Sequence, residues 1–163
     1  MSFAAFLLIA LADAASSATP SQQRPMSSTV LGPQNPLLEQ GAQALQAGHA
    51  EEGVRLTLEG LNYPSPAHDM AAARANLCAG YVLLHRYDEA LAQCNTSITL
   101  DGSNWRAFNN RAAVYTAQGL YDRALEDIFT ALKLAPGASL LHRSLSIIYQ
   151  DRKLHRQSAA PTV

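Results

Sequence analysis

What the chain has little of narrows its reading first. It has no surplus of positive charge: twelve lysines and arginines stand against thirteen aspartates and glutamates, a formal net charge of −1 at pH 7. A chain so balanced carries no electrostatic footprint for nucleic acid or for an anionic membrane surface, so neither is expected as a partner. Its N-terminal apolar run, residues 3–12, is about half the ~20 residues a membrane-spanning helix needs. No glycine-rich phosphate loop follows a strand pattern, and no serine sits in a G-x-S-x-G elbow. The five histidines, His49, His68, His85, His142 and His155, show none of the spacings by which three or four ligands converge on a metal. No enzyme, metal or cofactor is therefore expected. With only two cysteines, Cys78 and Cys94, the chain is not a disulfide scaffold.

What is there is a pattern written twice. Tyr81 and Tyr115 are separated by the same interval of 34 residues as Asn76 and Asn110, Ala79 and Ala113, Tyr87 and Tyr121, Asp88 and Asp122, Ala90 and Ala124, and Leu91 and Leu125. A fixed interval of this length marks a supersecondary unit that cannot bury its apolar face alone and must stack on a neighbour. Within the second copy, Phe108, Ala112 and Tyr115 fall at helical spacing; a break at Gln118-Gly119 precedes a second stripe of Ala124, Ile128, Ala131 and Leu132. Each unit is thus a helical hairpin, with alanines where helices approach and larger side chains filling between them.

The run FNNRAAVYTAQGLYDRALEDIFTALKLAP, residues 108–136, resembles a tetratricopeptide repeat in its aromatic opener, small residue, Tyr, turn Gly, Tyr-Asp-x-Ala-Leu, late Ala and closing Pro. The preceding copy departs from that pattern, with Arg74 for the aromatic opener, His85 for the turn Gly and Gly102 for the closing Pro. A weaker copy over residues 36–61 is aligned by Ala47-Gly48 and Glu51-Glu52-Gly53-Val54, at an interval of 37. After Pro136-Gly137, Ser139 heads a last helix with Leu141, Leu145, Ile148 and Tyr149, which resembles the solitary helix that closes such stacks. The resemblance implies an all-α fold: a short α-solenoid of about three hairpins plus a C-terminal capping helix.

The organisation expected is a signal peptide over residues 1–15, a disordered Ser/Gln/Pro/Thr linker over 16–35, the repeat domain over 36–150 and a flexible tail over 151–163. Cleavage is expected after Ala14 or Ala15, giving an exported protein, periplasmic or secreted. No Lys or Arg precedes the apolar run, so an uncleaved N-terminal anchor is the alternative.

Cys78 and Cys94 lie on opposite arms of one hairpin at similar distances from its turn. Export makes a disulfide between them open to the chain; two small buried thiols are the other reading. Rotating one residue off the packing stripe of each first helix gives Asn109, Ala113 and Thr116, and likewise Ala75, Ala79 and Val82, which by resemblance to the family line a concave peptide-binding face together with Asn76, Arg106, Asn110 and Arg143. Amides there would bond an extended backbone, and guanidinium groups would hold a carboxylate. Some family members clamp a chain-terminal carboxylate, as co-chaperones do. Asn76, Arg106 and Asn110 match part of that clamp, but Leu38 and Ala42 stand where a cation and an amide belong. The function expected is a protein-interaction module, an adaptor or scaffold for a protein or peptide partner. A structural subunit of an envelope complex, self-assembling as a homo-oligomer through Leu37, Leu38 or the edge of the last helix, is the competing reading.

Overall fold

The computed structural model describes residues 35–158. The segments read above as the signal peptide, as the linker up to residue 34 and as the last five residues of the tail lie outside the described residues. Among the described residues the fold is all-α, with seven helices: α1 (Pro36–Gln46), α2 (Ala50–Gly60), α3 (Ala67–Leu83), α4 (Tyr87–Leu100), α5 (Trp105–Ala117), α6 (Tyr121–Leu134) and α7 (Ser139–Ser158). They pair as α1–α2, α3–α4 and α5–α6, and α7 packs on the last pair.

Each hairpin turns in the same way. Gly48, His85 and Gly119 adopt left-handed φ values of 85°, 58° and 75°. Their positions repeat at the intervals of 37 and 34 found in the sequence. In the third hairpin Gly119 N–H donates to the Thr116 carbonyl and Leu120 N–H to the Tyr115 carbonyl; His85 and Arg86, and Gly48 and His49, make the equivalent pairs. These paired bonds satisfy the last carbonyls of each first helix and reverse the chain. Left-handed backbone favours glycine, and His85 takes it up with its ring hydrogen-bonded to the Tyr87 hydroxyl at 2.9 Å.

Packing follows the small-beside-large pattern. Ala112, Ala124 and Ala131 are fully buried around Ile128. One repeat earlier the matching positions hold Cys78, Ala90, Ser97 and Cys94, all fully buried, and the two sulfurs are joined in a disulfide linking α3 to α4. Ser97 keeps its hydroxyl in this core by donating to the Ala71 carbonyl at 2.7 Å. In the first hairpin three of the four matching places fall to glycines, Gly41, Gly53 and Gly60, and the fourth to Thr57. A Cβ on Gly41 would meet the Thr57 side chain and lie 3.0 Å from its backbone nitrogen, so α1 and α2 approach more closely than any side chain at this position permits.

One local expectation needs correction. The tail expected from residue 151 is helical as far as Ser158. Arg152 pairs with Asp122 at 2.7 Å and the His155 ring lies 5.7 Å from that of Tyr121, so these polar turns are docked on the start of α6. No described helix is long and apolar enough to cross a membrane.

Candidate functional site

The first helix of each hairpin touches the first helix of the next: α1 meets α3, α3 meets α5 and α5 meets α7. No comparable contact joins α2 to α4 or α4 to α6 among the described residues. A stack drawn together along one row and spread along the other curves toward the tighter row, so the first helices form the inner face. Small side chains make this possible: Ala75, Ala79 and Ala107 are fully buried and Ala113 nearly so.

That close approach changes the standing of the residues singled out for the groove. Asn76, Ala79, Asn109, Asn110 and Ala113 are all buried. Asn110 Nδ2 donates to the Ala75 carbonyl at 3.0 Å, across the joint between α5 and α3. Asn109 Oδ1 accepts the Ser144 hydroxyl at 2.8 Å, across the joint between α5 and α7. Both amides serve the stacking of hairpins, where the sequence reading placed them before a ligand. One residue of rotation along a first helix leads into the next inner helix as readily as into solvent, and a single hairpin's pattern does not tell the two apart. Ser144 was not singled out, although it lies on the buried stripe of α7 with Leu141 and Ile148.

Two of these residues remain at the surface. Arg106 is half-buried, with its guanidinium 4.5 Å from the centre of the Trp105 ring. Arg143, on α7, is exposed. Arg111 belongs to the packing side: its Nε and Nη2 donate to the two carboxylate oxygens of Asp127 at 2.8 and 2.7 Å, and its Nη1 to Asn95 Oδ1 at 2.7 Å. The Asp127 carboxylate raises the pKa of Arg111 further above its ordinary value, chiefly through the hydrogen bonds and against the cost of burial. Among the described residues no three His, Cys, Asp or Glu side chains converge in a way that would hold a metal ion.

Paired antiparallel helices stacked in register, with a solitary last helix covering the final pair, define an α-solenoid of helical hairpins. Residues 105–137 match the tetratricopeptide repeat family model. That segment is thus a tetratricopeptide repeat, and the other two hairpins share its fold. The chain is similar to mouse sperm-associated antigen 1, with 29% identity over 113 residues, 69% of this chain but only 12% of that protein. The first TPR domain of human RPAP3 superposes with a TM-score of 0.65 at 22% identity, over 76% of this chain and 94% of that one. The second TPR domain of human RPAP3, solved in complex with the HSP70 peptide SGPTIEEVD, superposes with a TM-score of 0.58 at 28% identity, over 69% of this chain and 92% of that one.

Proposed function

We propose that this protein is a non-enzymatic adaptor whose inner row of helices holds an extended peptide or partner helix. The observation that carries the reading is the row itself: α1, α3, α5 and α7 are drawn together over buried alanines and amides, with Arg106 and Arg143 the two groove candidates at its surface. A preorganised surface loses little on binding, so a few charge-assisted contacts add to apolar burial without an ordering cost. The similarity to a TPR domain solved with an acidic peptide supports a segment of that kind as ligand.

A full carboxylate clamp is the narrower reading. Leu38 and Ala42 supply neither charge nor amide, and Asn110 is fully buried in the joint with α3, one amide hydrogen on the Ala75 carbonyl. The ligand is therefore read along its length, with Arg106 contributing one anchor. We further propose that the protein works in an oxidising, exported compartment. The buried Cys78–Cys94 bridge and the apolar run at residues 3–12 support this.

Calorimetric titration with SGPTIEEVD, as the free acid and as the C-terminal amide, tests the groove. Replacing Arg106 and Arg143 together by Ala is expected to weaken binding by about 1–3 kcal/mol with helical content unchanged. Equal binding by the double variant and the parent would place recognition elsewhere.

A further inference from the structure

We infer that the far end of α7 and the start of α6 form a second docking surface, one that takes an acidic segment of a partner protein. The inference is independent of the inner-row reading. Its starting point is the distribution of charge along a chain that is balanced overall. Eight of the twelve lysines and arginines lie from residue 102 onward, whereas nine of the thirteen acids precede it. Four of those cations, Arg123, Arg152, Lys153 and Arg156, meet at one end of the stack.

The surface there is hollowed. A depression of ≈ 380 Å³ lies between the start of α6 and the last turns of α7, with Arg123, Arg152 and Arg156 on its walls. A neighbouring one of ≈ 480 Å³ is lined by Tyr149, Arg152, Lys153 and Arg156. Arg152 and Arg156 line both hollows, so one bound segment would run past both guanidinium groups. Asp122 fixes Arg152 at 2.7 Å. Arg123, Lys153 and Arg156 meet no carboxylate within ion-pair distance among the described residues, and the remaining acid on this part of α7 is Asp151.

The bland explanation for cations in the last turns of a helix is its own dipole. It covers Arg156, in the last turn of α7, but neither Arg152 and Lys153, a turn earlier, nor Arg123, which sits in the first turn of α6, where the dipole opposes a positive side chain, with its guanidinium 5.9 Å from the centre of the Tyr115 ring. The cluster therefore exceeds what the helix ends account for. Tyr149, 48% exposed, lines the second hollow and Leu120, 41% exposed, the first, which adds apolar area beside the charge and fits a segment mixing acidic and apolar residues. A long polyanion would also have to lie near the acidic first half of the chain; a short acidic segment would not.

A fluorescein-labelled Glu- and Leu-containing peptide with an amidated C-terminus is the probe, its amide removing any carboxylate contact in the inner row. Anisotropy is expected to report binding to the full chain that weakens with salt, that falls about tenfold or more in the Lys153→Glu/Arg156→Glu variant, and that is unchanged in Arg106→Ala. Both reversed residues are exposed and make no ion pair among the described residues, and circular dichroism checks that the variant folds. Absence of binding, or binding indifferent to the reversal, would overturn the inference. So would tighter binding of phosphatidylglycerol vesicles or of single-stranded DNA through the same two residues. Failure of this test leaves the Arg106-dependent titration untouched, and the converse holds.

Discussion

His85 carries a side chain into backbone that its two counterparts, Gly48 and Gly119, enter without cost. At φ 58° a Cβ crowds the neighbouring carbonyl, and the exposed bond to Tyr87 returns only part of that. His85→Gly should raise stability by about 0.5–1 kcal/mol in urea denaturation, against the usual direction of a glycine substitution. Arg111 is the opposite case, a cation whose partners come from two other helices. Removing it as Arg111→Ala leaves Asp127 buried without a counter-charge, an expected loss of about 3 kcal/mol, while Arg111→Met combined with Asp127→Leu should recover most of it. The substitution of His85 for a turn glycine was legible in the sequence because the repeat interval marks the position. The amide bonds of Asn109 and Asn110 were not, because their partners, Ser144 and the Ala75 carbonyl, stand 35 residues away in chain order and become neighbours only when hairpins stack.

Among the elements, the first hairpin illustrates where propensity misleads. Gly41, Gly53 and Gly60 weaken isolated helices by about 1 kcal/mol each relative to Ala, and on that ground the hairpin reads as loose. In the fold, Gly41 and Gly53 are where the two backbones approach: a Cβ on Gly53 would lie 2.9 Å from the Gly41 carbonyl oxygen. Gly41→Ala should therefore destabilise, by about 1–3 kcal/mol, despite its better helix propensity, and thermal melts would show the sign directly. The second hairpin is held by covalent means. With a sequence separation of 16 between the bridged cysteines, Cys78→Ala/Cys94→Ala should cost about 3 kcal/mol, with both sulfur sites so buried that reductant acts on the parent only slowly. The end of α7 was the element read least well. Its last turns look like a fraying polar tail in sequence, and they are helical because Asp122 and Tyr121, from another element, give them somewhere to dock.

Over the whole molecule, the repeat interval made the architecture legible: alignment of Gly48, His85 and Gly119 fixes three hairpins and their turns before any coordinate is known. What the interval leaves open is which side of a first helix faces a ligand. Stacking draws the first helices together, buries most of the groove candidates and keeps Arg106 and Arg143 at the surface. The same stacking sets a cationic end against an acidic beginning. The measurement that bears most directly on the inner row is amide chemical-shift mapping of the ¹⁵N-labelled domain during titration with SGPTIEEVD. Perturbations are predicted to follow α3, α5 and the start of α7 and to centre on Arg106. Perturbations confined to the outer helices α2, α4 and α6 would contradict the account.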